Sequence, residues 1–504
     1  MRSLPTLFLL ACAAAAAPLA THANPAGAKW LRLTSEHFEM FSCISESASR
    51  QLLVELEQFR EFYFTTFQQH RNYHPKVPIF LFDTEEHYTR YRYKNPDREV
   101  TPTGGLFLVG RLQSHIMVRH YHYGGSLSTL IHEYVHFLTY IQLGEKLPLW
   151  FKEGLAEVCD SFRIIGNTVI FGKASYSQYG LLGRTPPIPL DTLFTIDSQS
   201  PYYTVEGVKR RIFYAQSWLL LHYAMLGKNN EPYTMKNMLR FVDARSSSSA
   251  FVNTAWIFKR VFGTGYGNLE KALYAYLRDG AHTTITTTIP SKPIRDKISV
   301  RPATDEEREI ALAGLDWRSS ADNIFELYGL ARKYPENPRI YEILAVTQRA
   351  DSCTINARYL RKAVEKNSAN PLVYVELLKS KGIKPANPGR LMPAKDAAEY
   401  TVLVDRALEL APDCMEAYEL LAIIESQSPV IRIERINTVL EALPHMRERD
   451  KTRYALAVTY WRLKRHDDAQ AMINKLLNDP NSSSKIKSRA RELQGLVAKE
   501  TGRK

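Results

Sequence analysis

The segment HEYVH, which begins at His132 and ends at His136, constrains the fold of this chain more than any other feature. Residues four apart on a helix lie on one face, so both imidazoles can bind one metal ion only if the segment is helical. Glu133 then lies beside the coordination position that stays open. The surrounding apolar pattern predicts a helix that begins near Ser126 and ends near Tyr140.

A zinc ion in a hydrolytic site takes three protein ligands and keeps a fourth position for water, so a third ligand is required. The segment WFKEGLAE, residues 150–157, offers Glu153 and Glu157 on a second predicted helix over residues 149–160. The two carboxylates are one helical turn apart on the same face. Either carboxylate, Glu153 or Glu157, can therefore supply the third ligand.

The two segments together resemble the motif pair of the gluzincin zinc peptidases, with sixteen residues between His136 and Glu153. The resemblance implies an α+β zincin-like catalytic domain over residues 29–280. It also implies that zinc is held by His132, His136 and Glu153, and that Glu157 orients a ligand histidine from outside the coordination sphere. Glu133 would then act as the general base.

The same resemblance implies a tyrosine hydroxyl over the reacting carbonyl, from a helix about sixty residues beyond the third ligand. Tyr214, in the segment FYAQSW, matches that position and is the predicted oxyanion donor. The alternative is that Tyr214 only packs in the core. In that case Tyr202, Tyr203 and Tyr223 are the next candidates.

The aminopeptidase branch of the gluzincins carries a Gly-x-Met-Glu-Asn motif whose glutamate binds the substrate amine. The comparable stretch here, residues 104–110, has no acidic residue. This difference argues against aminopeptidase action. It leaves a predicted edge strand that could pair with an extended peptide.

The C-terminal part is predicted to be helical and repetitive. Asn337-Pro338, followed by an Ile-Tyr pair and a leucine, recurs 33 residues later as Asn370-Pro371, followed by Val-Tyr and a leucine. A period near 34 residues resembles tetratricopeptide-type helix pairs. The resemblance implies an all-α helical-repeat domain over residues 301–504 that recruits a partner or substrate, joined by a Thr/Pro-rich linker over residues 281–300. An irregular helical domain is the alternative.

The first residues predict an export signal. Arg2 precedes an apolar stretch over residues 4–19, and small residues follow up to a cleavage site after Ala23. A signal peptide over residues 1–23 predicts a periplasmic or secreted protein with no transmembrane segment in the mature chain. A membrane anchor and lipidation at Cys12 are the alternatives.

The formal net charge of +13 is spread along the chain, because residues 301–504 carry 34 basic and 29 acidic side chains. Nucleic-acid binding usually requires basic residues concentrated on one face. The sequence therefore predicts no nucleic-acid partner.

These features predict an exported zinc metallopeptidase whose helical repeats bind a protein partner or the substrate. Glu133 would take a proton from water and pass it to the leaving amine. Two other functions use the same residues. One is a non-catalytic envelope scaffold that keeps zinc for structure, and the other is a zinc amidase that acts on peptidoglycan peptides.

Overall fold

A computed structural model describes most of the chain after the predicted signal peptide. The described residues are 29–67, 76–91, 104–121, 125–144, 147–173, 176–247, 253–279, 284–288, 294–315, 322–347, 355–385, 387–446, 449–479 and 482–502. Residues 1–23, with Cys12, lie outside these ranges. No helix within them combines the length and the apolar character that crossing a bilayer requires.

The N-terminal part is built on a mixed sheet. The strands of the chain are β1 (Leu31–Thr34), β2 (Phe38–Ser42), β3 (Val77–Phe82), β4 (Gly105–Leu108), β5 (His115–Arg119), β6 (Arg163–Ile165), β7 (Thr168–Phe171), β8 (Ile285–Thr288) and β9 (Ser299–Pro302). Six of them form a sheet in the order β4-β5-β3-β2-β1-β9, and β6-β7-β8 form a second sheet. In the six-stranded sheet β2, β3 and β5 are parallel to one another, and the other pairs are antiparallel.

Helices cover both faces of the large sheet. The helices of this part are α1 (Glu46–Thr66), α2 (Glu85–Tyr91), α3 (Ser126–Leu143), α4 (Leu149–Cys159), α5 (Tyr176–Leu182), α6 (Leu190–Leu193), α7 (Pro201–Thr204), α8 (Val208–Leu226), α9 (Met235–Ser247), α10 (Thr254–Phe262) and α11 (Tyr266–Arg278). Side chains alternate along the central strand β3, which is buried throughout. Ile79 and Leu81 pack with α1 and α3, whereas Phe80 and Phe82 pack with α2 on the other face.

The helix α4 lies against α8 at a close backbone approach. A Cβ atom on Gly154 would lie 2.4 Å from the carbonyl oxygen of Ser217, so only glycine allows this crossing. This contact fixes the distance between the backbones of α4 and α8. It therefore also sets the position of Glu153, one residue earlier on the same helix.

The C-terminal part is helical. Its helices are α12 (Asp305–Ala313), α13 (Asp322–Lys333), α14 (Pro338–Val346), α15 (Ala357–Glu365), α16 (Pro371–Ser380), α17 (Ala394–Leu410), α18 (Met415–Gln427), α19 (Ile433–Ala442), α20 (Asp450–Arg462), α21 (His466–Leu477) and α22 (Ser484–Thr501). A mixed α/β part followed by an all-α part is thus the observed architecture, as the sequence predicts.

The repeated Asn-Pro pairs start helices. Asn337 and Asn370 are N-caps whose side chains accept a hydrogen bond from the backbone two residues later, and each is followed by proline in the first helical position. The repeated tyrosines also make one recurring contact. The hydroxyls of Tyr341, Tyr374 and Tyr418 each donate to the carbonyl six residues earlier, at 3.0, 2.9 and 2.9 Å. Tyr418 therefore makes the same contact as the tyrosines that follow the two Asn-Pro pairs.

The segment predicted as a linker, residues 281–300, contains β8, which pairs with β7, and leads into β9, which pairs with β1. Leu312, on the first helix of the predicted repeat region (α12), and Leu315, just after it, lie in the same cluster as Trp30 and Phe82. The start of the predicted repeat region therefore packs as part of the N-terminal fold.

The turn between β4 and β5 makes a second contact between the two parts. Leu112 is only 2% exposed and packs into the core of the helical repeats. Its carbonyl accepts a hydrogen bond from the side chain of Asn370 at 3.0 Å, and Arg111 forms an ion pair with Glu376 at 3.0 Å. The C-terminal end of β4 is therefore held by the C-terminal helices.

Candidate metal centre and cleft

The helices α3 and α4 bring the two sequence motifs together. On α3, the rings of His132 and His136 meet edge to face, with centroids 4.8 Å apart. From α4, Oε2 of Glu153 lies 3.4 Å from Nε2 of each histidine. Ligand atoms about 2.1 Å from a tetrahedral zinc ion lie about 3.4 Å from one another. The three side chains therefore form a group that one ion can contact at once.

The charge of this cluster suits a cation. Burial disfavours the ionised form of Glu153, but the charge of His136 and the hydrogen bonds from both histidines outweigh it and hold the pKa of Glu153 well below its usual value. Burial opposes the charged form of His132 as well. The hydrogen bond to Glu153 and the charges of Glu157 and Glu133 nevertheless raise the pKa of His132 to about 10. Carboxylates thus dominate the local field, as a divalent cation requires.

Glu157 lies on the outer side of the cluster. Its Oε1 is 3.7 Å from Nδ1 of His132, whereas Glu153 faces Nε2 of that ring. Gln178, on α5, donates a hydrogen bond to the other oxygen of Glu157. Burial raises the pKa of Glu157 and also that of Asp160, which lies beside it. The geometry therefore distinguishes an inner carboxylate, Glu153, from an outer one, Glu157.

Glu133 points from α3 toward the edge strand β4. The backbone N–H of Phe107 donates to its carboxylate, and burial raises the pKa of Glu133 against the opposing charges of His136 and His132. A Cβ atom on Gly105 would lie 2.7 Å from Cγ of Glu133, so a larger residue does not fit there. Glycine at this position lets the strand run directly over the carboxylate.

Two tyrosines lie on the other side of the cluster. The hydroxyl of Tyr203 donates to Oε1 of Glu153 at 3.2 Å, and the charge of Glu153, together with burial, raises the pKa of Tyr203. Tyr214 stacks on Tyr203 with ring centroids 6.5 Å apart, and the guanidinium carbon of Arg210 lies 5.7 Å from the ring centroid of Tyr214. Tyr214 is thus in the cleft, but Tyr203 is the tyrosine that contacts the predicted ligand set. Tyr223 packs instead against Tyr276, with centroids 5.0 Å apart.

These groups line an open cleft of about 1260 Å³. One wall is the strand β4 from Gly104 to Phe107, whose outer edge is unpaired among the described strands. The opposite wall carries Arg210 and Arg211 at the start of α8, and Lys152 lies on α4. The cleft therefore has room for an elongated molecule beside this strand.

Some cleft residues were not predicted from the sequence. Gly105 has a detectable signal, because an isolated glycine in a strand often marks a close backbone approach. Gln178 and Arg210 have none, since their roles depend on contacts with Glu157 and Tyr214, which are on other elements.

Comparisons with protein-family models, with curated proteins and with solved structures find no match to this chain. The function has to follow from the chemistry of the cleft itself.

Proposed function

We propose that this chain is an exported, zinc-dependent peptidase of the gluzincin type, with a zincin-like catalytic region and tetratricopeptide-like repeats. The observation that carries the proposal is the convergence of His132, His136 and Glu153 on one point of an open cleft, with the carboxylate of Glu133 beside it. Three protein ligands leave one coordination position for water or substrate. A purely structural zinc site would have no need of the additional, unligated carboxylate of Glu133.

The chain's own residues account for the proton transfers of hydrolysis. When bound, zinc supplies Lewis-acid chemistry, which polarises a carbonyl and lowers the pKa of water. Glu133 accepts the proton of the attacking water and donates it to the leaving amine. Burial raises the pKa of Glu133, which makes its carboxylate a stronger base. The N–H of Phe107 holds the carboxylate in one orientation.

The two tyrosines have separate proposed roles. Tyr203 orients Glu153 through its 3.2 Å hydrogen bond, as outer-shell partners of metal ligands do. Tyr214 is the proposed oxyanion donor, because it lines the cleft beside the guanidinium of Arg210.

The substrate is proposed to bind as an extended peptide along β4. The free edge of this strand offers backbone donors and acceptors directly beside Glu133. The stretch from Gly104 to Gly110 carries no acidic group that could bind a substrate amine. Binding therefore depends on the backbone of the peptide rather than on its free N-terminus.

The test combines metal analysis with the variant Glu133→Gln. The wild-type chain should contain zinc and cleave peptides, and chelation should abolish cleavage. Glu133→Gln should keep the zinc and lose turnover on the order of 100-fold or more, because an amide cannot accept the proton. Glu206→Gln is the matched control, since Glu206 is an exposed carboxylate in the same cleft and should retain turnover.

A peptide library and a muropeptide digest assayed side by side separate the rival functions. Cleavage of library peptides supports the peptidase. Cleavage of stem peptides alone would indicate the zinc amidase. Bound zinc without either activity would indicate the scaffold, and a chain without zinc would refute all three.

A further inference from the structure

A second cluster of metal-ligating side chains lies at the carboxyl ends of two neighbouring strands. Cys43 directly follows β2, and Asp83 directly follows β3. These strands are parallel and paired, so their ends meet at the same edge of the sheet. His87 lies four residues beyond Asp83, in the first turn of α2. None of the three lines the cleft around His132.

Three elements thus converge on one small site. The sulfur of Cys43 lies 3.4 Å from Oδ1 of Asp83, and Nδ1 of His87 lies 2.5 Å from the same oxygen. All three ligand atoms are within 4.8 Å of one another. The side chains of Asp83 and His87 are 32% and 20% exposed, so an ion can reach them from solvent.

The backbone holds the cluster in place. The N–H of Cys43 donates to the carbonyl of Leu81 at 3.1 Å, which ties the end of β2 to β3. The N–H of His87 donates to the hydroxyl of Thr84 at 3.2 Å, which caps the first turn of α2. The donors are therefore arranged by secondary structure rather than by a loose loop.

We propose that Cys43, Asp83 and His87 form a second metal site, for a zinc-type divalent cation, that clips the ends of β2 and β3 to α2. A thiolate, an imidazole and a carboxylate form a donor set of borderline softness, which favours zinc over magnesium or calcium. Three protein ligands leave a fourth position for water. The thiolate and the carboxylate together balance the charge of the ion.

The same cluster is poorly arranged for a nucleophilic cysteine. A catalytic histidine must contact the sulfur that it deprotonates, but here Asp83 contacts both Cys43 and His87. Burial, reinforced by the charge of Asp83, raises the pKa of the Cys43 thiol to about 12, so the thiol stays protonated without a cation. Metal binding would release that proton and replace the hydrogen bond between His87 and Asp83 with two bonds to the ion.

Cobalt titration of the full chain tests the proposal, because a thiolate that binds Co²⁺ produces a near-ultraviolet charge-transfer band. The cluster of His132, His136 and Glu153 contains no sulfur, so Co²⁺ bound there does not produce this band. We expect one equivalent of thiolate-bound Co²⁺ under reducing conditions, displaced by Zn²⁺. Cys43→Ala should abolish the band, and His87→Ala should weaken Co²⁺ binding at least about tenfold.

The control is Cys414→Ala, because Cys414 is buried in the repeats and should leave the band intact. If Cys43→Ala does not fold, Asp83→Asn and His87→Gln change partly exposed side chains and serve as the test. A wild-type chain without the band, or a band that persists in Cys43→Ala, would overturn the proposal. Peptide hydrolysis by the same variants reports on the cleft separately, since its ligands are unchanged.

Discussion

Replacing Gly105 by alanine inserts one methyl group between β4 and the face of α3 that carries Glu133. The added Cβ would lie 2.6 Å from Cγ2 of Thr129 and 2.7 Å from Cγ and 2.9 Å from Oε1 of Glu133. Carbon atoms in ordinary contact are about 3.5 to 4.0 Å apart, so the strand or the side chains must move by about 1 Å. Gly105 does not have a positive φ, so alanine adds a steric change and no backbone strain.

The expected effect on catalysis is larger than the effect on stability. Overpacking a buried site of this kind costs about 1 to 3 kcal/mol of unfolding free energy. Misplacing a catalytic group by about 1 Å costs on the order of 100-fold in rate. The predicted zinc ligands do not contact Gly105, so zinc content should stay at the wild-type level.

The assay measures turnover of a short peptide, zinc per chain and melting temperature on the same preparation. Gly180→Ala is the matched control, because a Cβ atom at Gly180, on the helix α5 beside the cleft, meets nothing within 4 Å. That variant should retain turnover and gain stability by about 0.5 to 1 kcal/mol, since alanine favours helices. A folded Gly105→Ala variant with wild-type turnover would refute the idea that β4 positions Glu133 as the base.

The other predictions separate roles that the structure brings close together. Tyr214→Phe should lower turnover on the order of 100-fold to 1000-fold with little change in KM, whereas Tyr203→Phe should weaken zinc binding about 10-fold to 100-fold. Steady-state kinetics measure the first effect and zinc competition measures the second, and the opposite pattern would exchange the two roles. Leu112→Ala should cost about 2 to 5 kcal/mol in denaturant unfolding, because the side chain is buried in the repeat core, and a loss below about 1 kcal/mol would show that this contact is unimportant. Deleting residues 301–504 should give an insoluble chain, because the deletion cuts β9 and removes α12 from the sheet. Deleting residues 316–504 should leave a soluble chain, and equal solubility of the two truncations in a sedimentation assay would contradict this prediction.

The sequence by itself determined the elements whose signals are local. The i, i+4 histidines predict the helix that the structure shows over Ser126–Leu143, and the apolar run at residues 77–82 predicts the buried central strand. The Asn-Pro pairs at 337 and 370 predict the starts of repeat helices. These predictions hold because an N-cap bonds the backbone two residues away and side-chain periodicity depends only on neighbours within the element.

Composition alone does not reveal the strand β8, which lies within the predicted linker. Threonine and proline are typical of a linker, but threonine also favours strands, and only a pairing partner distinguishes the two. That partner, β7, is more than a hundred residues earlier in the chain. An edge strand whose partner is remote in sequence carries no local mark of its pairing.

The tertiary structure alone decided which groups meet at the site. The motif resemblance favours Glu153 over Glu157, which lies on the same helix face, but only the packing of α4 between α3 and α8 turns Glu153 toward both histidines. Tyr203 reaches Glu153 across 50 residues of chain. Cys43 meets Asp83 across 40. Such contacts depend on how whole elements pack, because burial and backbone approach, rather than local propensity, set the distance between side chains that are far apart in sequence.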